Sequence, residues 1–385
     1  MSQPKITNEE LIQDMQEGLT LVSIAEKYKM SERNVQRRKA AIVKQGWSPE
    51  HNMTKMCPEE YNVKGTSTLY DASGNVKTQW VKTQANPEVL SLSAFKEGML
   101  EFSEGLNQVE LIPPTLYVPK ETDLMVVYPL GDPHIGMMAW SEETGGDNWD
   151  LKIAEEVLSE AYERVIIASP PAENAVILNL GDFFHYDNQE GVTVKSRNIL
   201  DRDGRYAKMI AVGLNIIRKM IQTALLHHTY VRVINVVGNH DETGALFLSI
   251  CLAHIYELNP RVTIDTDPGH FHYVKFGKCL IGAHHGQLCK MEKLPHVMAA
   301  SRSEDWGQTK YRYWLTGHIH HDSKKEFPGC MVESFRTMAA PDAYAISGGW
   351  LSGRDTKAII YHKDYGEWER RIINIDLVKA QLARK

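Results

Sequence analysis

The sequence predicts a layered α/β domain preceded by a small all-α module. From about residue 123 onward, short continuous apolar runs alternate with longer amphipathic stretches, the texture of strands buried on both faces with helices packed against them. Ahead of them, three short stretches with capping residues and apolar stripes read as helices. Each of five apolar runs ends in a polar cluster rich in Asp, Asn and His, so the sheet and any chemistry it carries are expected to meet at the strand ends.

In chain order, Thr7 and Glu10 form a capping box for a first helix with Leu11, Ile12 and Met15 on one face, and Gly18 interrupts it. Thr20 can cap a second helix carrying Leu21, Ile24, Ala25 and Tyr28, and Ser31 a third, ERNVQRRKAAIVKQG, with Val35 and Ile42 on one side and Gly46 at its end. This stretch, LVSIAEKYKMSERNVQRRKAAIVKQG, resembles the helix-turn-helix modules of small bacterial and phage proteins. The third helix and its approach carry Lys27, Lys29, Arg33, Arg37, Arg38, Lys39 and Lys44 against Glu32, a balance suited to phosphate contact. Arg33, Arg37, Arg38 and Lys39 are the candidate nucleic-acid residues; the alternative for such a charge run is a solvated helix face.

Residues 47–122 read as a hairpin, TSTLYDASGNVKTQWVKT around an Asp-Ala-Ser-Gly-Asn turn, followed by the proline-bearing connector LIPPTLYVPKETD. The predicted organisation is therefore a helical module over 1–46, a small β element with a linker over 47–122, and the α/β domain over 123–385. In that domain LMVVYPL, AVILNL, VRVINVV, CLIGA and YRYWLTG are the strands, while LKIAEEVLSEAYERVIIA and YAKMIAVGLNIIRKMIQTALLHH are helices between the first three.

Composition narrows the classes. The 385 residues suggest two or three domains, and 43% hydrophobic residues supply a sizeable core. A net charge of −6 argues against a uniformly basic nucleic-acid coat while leaving local patches open. No run of eighteen apolar residues and no leader-like N-terminus is present, so a cytoplasmic protein without a membrane partner is expected. Cys57, Cys251, Cys279, Cys289 and Cys330 are odd in number and widely spaced, as expected of reduced thiols.

The histidines are more telling. Half of the sixteen fall within or beside the clusters GDPH (131–134), GDFFH (181–185), GNHD (238–241), HHG (284–286) and GHIH (317–320). One histidine after a strand is ordinarily a satisfied core residue; five clusters, each directly after a strand, point to a metal site. Carboxylate, amide and imidazole donors together suit manganese, iron or zinc. Asp132, His134, Asp182, Asn239, one of His284 and His285, His318 and His320 make seven donors, too many for one tetrahedral ion and the right number for two ions sharing a carboxylate.

This ordered series over roughly 125–325 resembles the calcineurin-like metallophosphoesterases. The resemblance implies a four-layer α/β/β/α sandwich and two divalent ions, manganese foremost with iron or zinc as alternatives. It also implies that Asp132, His134, Asp182 and His320 hold one ion, and Asp182, Asn239, His285 and His318 the other. His285 is preferred because His285-Gly286 matches the family's His-Gly pattern. The family's chemistry is in-line displacement at phosphorus by a hydroxide bridging the ions. His240 matches the histidine that protonates the leaving group, with Asp241 orienting it or capping the helix that follows.

GDFFH resembles the pattern in SbcD-type nucleases, which implies a substrate-side role for His185. Lys195, Arg197, Arg202 and Arg205 nearby, and Arg336, Trp350 and Arg354 further on, are candidates for contact with substrate. The stretch after His321 reads as closing strands and a tail, without the cap or docking segment for a coiled-coil ATPase that SbcD-type nucleases carry. The combination of this domain with the helical module resembles phage-encoded metallophosphoesterases, which would place the chain in a host cytoplasm. The expected function is thus a metal-dependent DNA nuclease, with a homodimer compatible. The alternatives are a small-nucleotide phosphodiesterase or phosphomonoesterase with a regulatory module, and a non-enzymatic DNA-binding regulator.

Overall fold

The computed structural model describes residues 6–44, 61–70, 76–85, 121–193 and 197–384. The Asp-Ala-Ser-Gly-Asn turn, the proline-bearing connector as far as residue 120, and Lys195 lie outside the described residues. Two compact units divide the chain, 1–104 and 105–385, and the division falls inside the segment read from sequence as hairpin and linker.

Three helices open the first unit: α1 (Asn8–Gln16), α2 (Leu21–Lys27) and α3 (Glu32–Lys44). The capping box forms as expected, with the Glu10 amide donating to Thr7 Oγ1 and the Thr7 amide donating to Glu10 Oε2. Thr20 caps α2 by accepting from the Ser23 amide. Ile6, Leu11, Ile24, Val35 and Ile42 are all buried and make one small core. β1 (Tyr61–Tyr70) and β2 (Val76–Ala85) pair antiparallel, from Tyr61 opposite Ala85 to Tyr70 opposite Val76.

The second unit alternates strand and helix: β3 (Glu121–Leu130), α4 (Ser141–Thr144), α5 (Leu151–Ile167), β4 (Ala172–Asn179), α6 (Tyr206–His227), β5 (Tyr230–Asn235), α7 (Glu242–Ile255) and β6 (Val262–Ile264). There follow β7 (His272–Phe276), β8 (Cys279–His284), α8 (Leu294–Ser301), α9 (Ser303–Gln308), β9 (Tyr311–Thr316), β10 (Ser323–Phe327) and β11 (Cys330–Ser334). α10 (Ala343–Ser347), β12 (Asp355–His362), β13 (Gly366–Asn374) and α11 (Ile375–Leu382) close the chain.

Two sheets result. One runs β13-β12-β3-β4-β5-β6, with β3 to β6 parallel and β12 antiparallel to β3; the other runs β10-β11-β9-β8-β7, with β8, β9 and β11 parallel. Val127, Leu178 and Ile234 of the first sheet meet Ile281 and Leu315 of the second in a shared apolar core. α5 and α6 cover the outer face of the six-stranded sheet, and Leu294 and Met298 of α8 pack on Leu280, Trp314 and Val332 outside the five-stranded one. Helices, sheet, sheet and helix make the four layers expected from the sequence. α6 is long and apolar enough to cross a membrane by length alone, yet Leu214, Ile217, Ile221 and Leu225 are buried, as in a core helix. With β3, β4 and β5 parallel in one sheet and β8 and β9 parallel in the other, the polar clusters at their carboxyl ends are brought together.

Candidate metal centre

The loop after β3 supplies Asp132 and His134, that after β4 Asp182 and His185, and that after β5 Asn239 and His240; His285 follows β8, and His318 and His320 follow β9. Asp132, His134, Asp182, His318 and His320 all hold φ between 42° and 70°. They are five of the seven non-glycine residues with positive φ among the described residues, a concentration of backbone strain of the kind that functional sites sustain. Two glycines make the close approach possible. A Cβ on Gly238 would lie 2.1 Å from Asp182 Oδ1, and one on Gly317 would lie 2.6 Å from Asp132 Oδ2.

Donor atoms converge in groups within 4.8 Å of one another: Asp132, His134 and His320; Asp182, His285 and His318; and His134, His185 and His240. His134 Nε2 faces His320 Nε2 at 3.0 Å, and His285 Nε2 lies 3.1 Å from both Asp182 Oδ2 and Asn239 Oδ1. The backbone pins the carboxylates. The His318 amide donates to both oxygens of Asp132 at 3.0 Å, and the His240 amide donates to Asp182 Oδ1 at 2.8 Å. Thr337 Oγ1 donates to the Asp132 carbonyl at 2.7 Å, a support that no local signal in the sequence marks.

The two histidines after β8 part ways. His285 Nδ1 donates to the Leu180 carbonyl at 2.7 Å, which leaves Nε2 as the lone-pair nitrogen turned into the site. His284 instead stacks on Phe271, its Nδ1 accepting from the Gly286 amide. The choice of His285 over His284 thus has a geometric reason.

Asp132 and Asp182 are buried, and among the described residues neither forms an ion pair with a Lys or Arg. Burial pushes the Asp132 carboxyl up to about 7, with His285 opposing. Burial acts the same way on Asp182, but His285 first, then His240 and His134, hold it well below the usual carboxylate range. The His285 imidazole, which burial alone would lower, is pushed up to about 10 by Asp182 and Asp132. Burial and neighbouring imidazoles bring His134 well below its ordinary value and His320 to about 4, so both stay in the neutral form that ligates metal. Buried carboxylates without a Lys or Arg partner, the neutral imidazoles of His134 and His320, an amide oxygen, and a His285 whose Nε2 proton a cation would displace form a donor set that fits two divalent cations.

Three further sets of sequence-predicted residues are placed as follows. Asp241 occupies the first cap position of α7, but its side chain makes no cap bond there. Its carboxylate accepts the amides of Asp182, Phe183, Phe184 and Gly238 at 2.8–3.2 Å, tying the loop after β4 to the loop after β5. Burial, reinforced by Asp182, pushes this carboxyl up to about 8, yet every neighbour named is a donor and suits the carboxylate form. The α7 amides of Thr243 and Gly244 are capped by Asp187, which sequence reasoning missed because the partners stand 56 and 57 residues apart.

His185 is not on an open substrate face: it is 2% exposed. Its Nδ1 lies 3.2 Å from His134 Nδ1, its ring stacks on His240, and its carbonyl accepts from His240 Nδ1 at 2.8 Å. The main chain of His185, not Asp241, orients His240. The third set is the arginines. Arg336 pairs with Asp355 and Asp322, Arg354 with Asp147 and Asp376, Arg197 with Glu190, and Arg202 with the Gln189 carbonyl. Arg205 stands exposed at the start of α6. In the helical module Arg33 and Arg37 are exposed and Lys39 partly so, whereas Arg38 donates to the Ile6 carbonyl and Asn8 Oδ1 inside the module.

No protein-family model and no curated protein matches the sequence. Among solved structures the chain is similar to a predicted phosphoesterase from Streptococcus pneumoniae (9% identity, 65% of this chain and 98% of that one, TM-score 0.28). It is also similar to Vps29 complexed with zinc from Entamoeba histolytica (13%, 65% and 99%, 0.28) and to NAD nucleotidase of Haemophilus influenzae (8%, 66% and 50%, 0.31). The four layers and the convergent donors stand on their own geometry, independently of these likenesses.

Proposed function

We propose that this chain is a phosphodiesterase dependent on two divalent cations, of the calcineurin-like metallophosphoesterase type, with DNA as its substrate class. The observation that supports it is the convergence of seven strand-end donors around Asp182. Asp132, His134, Asp182 and His320 would hold one cation, and Asp182, Asn239, His285 and His318 the other. Bound there, the two cations would supply Lewis-acid activation of water and charge neutralisation at phosphorus.

The chain's own groups do the rest. The Leu180 carbonyl fixes the His285 tautomer and the His318 amide fixes the Asp132 carboxylate, so the donors are oriented before any cation arrives. His240 Nδ1 keeps its hydrogen on the His185 carbonyl, which leaves Nε2 to carry the proton for the leaving oxygen. Asp241 acts through the backbone, holding the loops that carry Asp182 and His240 in mutual register. In the helical module, exposed Arg33 and Arg37, with Lys39, are the residues for the phosphate backbone.

The test is a panel of bis-aryl and mono-aryl phosphates, cyclic nucleotides, RNA, and linear, nicked and single-stranded DNA, each assayed with manganese. The diesters and DNA are expected to turn over. His240→Ala is expected to lower diesterase turnover about 10²–10⁴-fold while metal content stays unchanged. Turnover confined to monoesters, or undiminished in His240→Ala, contradicts the reading.

A further inference from the structure

The segment between β11 and β12 runs along the rim of the centre and is fastened to it at both ends. Thr337 Oγ1 donates to the Asp132 carbonyl at 2.7 Å, and Ser352 Oγ donates to the His320 carbonyl at 2.6 Å. Asp132 and His320 belong to one donor group, so both ends of this segment are tied to that group, and Trp350 stands two residues from the Ser352 tie. Asp342 starts α10 by accepting from the Ala345 amide, and α10 packs against α4.

Between the two fastenings stand large aromatic and aliphatic side chains that the fold does not bury. Tyr344 is 68% exposed, Trp350 58% and Leu351 70%. The Trp350 ring is nonetheless held. Its amide donates to the Ala345 carbonyl, its ring meets Tyr344 at 5.1 Å and 65°, and a Cβ on Gly348 would lie 2.8 Å from its Cδ2. An indole braced by Gly348 and Tyr344 and still more than half exposed offers a rigid π surface to an incoming group. The planar base of a nucleotide is a chemically matched occupant for aromatic surface of that kind at a phosphate-handling site.

We propose that Trp350, backed by Tyr344, is a stacking platform for an unstacked nucleobase of the substrate, so that the site takes single-stranded or end-frayed DNA. This rests on the phosphodiesterase reading above. Stacking has little base preference, because every base has a π face, so the platform selects for the presence of a base and for its being unpaired. A base inside an intact duplex must be unstacked first, at a cost of a few kcal/mol.

The experiment uses the full chain with calcium in place of manganese, and measures by calorimetry the affinity for a short oligothymidylate and for an abasic strand of equal phosphate count. The unsubstituted protein is expected to prefer the base-bearing strand by about fivefold or more. Trp350→Ala is expected to abolish that preference, Trp350→Phe to keep most of it, and Tyr344→Ala to reduce it. Equal affinity of the unsubstituted protein for the two strands, or an undiminished preference in Trp350→Ala, overturns the proposal. Manganese-dependent hydrolysis of a bis-aryl phosphate by the unsubstituted protein reports on the phosphodiesterase reading separately. Hydrolysis without base preference removes the platform and leaves that reading intact.

Discussion

Asp182 Oδ1 accepts the His240 amide while Oδ2 faces His285 Nε2, so one buried carboxylate joins the loop of His240 to the donor set. Asp241 stands behind it, four backbone amides deep, and its effect is on position rather than on proton affinity. Replacing Asp241 by Ala would leave those amides without their acceptor inside the protein, at a cost of about 3 kcal/mol, read as a lower urea midpoint. The same variant is expected to lose metal affinity, while the acid and alkaline limbs of whatever turnover remains stay where they were. Movement of a limb would instead make Asp241 the polariser of His240. This distinction was not legible in the sequence. GNHD places an acid next to His240, but where its carboxylate points depends on Asp182, 59 residues away. The convergence of the polar clusters was legible, because each follows a short apolar run that reads as a strand.

At the level of elements, local signals translated well. The Thr7 and Thr20 caps, the apolar stripes of α1 to α3 and the run of β3, β4, β5, β8 and β9 all depend on neighbours within a few residues. Partners of the arginines did not translate, because a guanidinium finds its carboxylate across the fold, as Arg354 does with Asp147. The join between α6 and β5 offers a measurable consequence. His228 is buried there, with Nε2 2.7 Å from the Tyr128 hydroxyl, and burial lowers its imidazole to about 3. Its folded value lies below the ordinary value of about 6.5, so the unfolded chain binds the extra proton. The stability tied to neutral His228 is therefore complete above about pH 6.5 and is lost progressively as pH falls toward 3. Urea midpoints of His228→Gln are expected to fall less steeply than those of the unsubstituted protein between pH 6.5 and 4. Parallel slopes would mean that His228 does not contribute to the acid limb.

Over the whole molecule, charge is divided unevenly: the net is −6, while α3 presents Arg33 and Arg37 to solvent. Arg33→Ala with Arg37→Ala is expected to weaken duplex binding about equally for unrelated sequences and to reduce the salt slope by about one per lost phosphate contact. Arg38→Ala should act differently, loosening the module by releasing the Ile6 carbonyl and Asn8, with a change in unfolding rather than in salt slope. An unchanged salt slope in the double variant would remove the module from the account of DNA binding.

If Asp182 joins two cations into one hydrolytic centre, stripping the protein with a chelator and titrating manganese back, while following hydrolysis of a bis-aryl phosphate, will show it. No turnover is expected in the stripped protein, complete recovery at two manganese ions per chain, and neither recovery nor full metal uptake in Asp182→Asn. Turnover that survives stripping, or full recovery in Asp182→Asn, would contradict it.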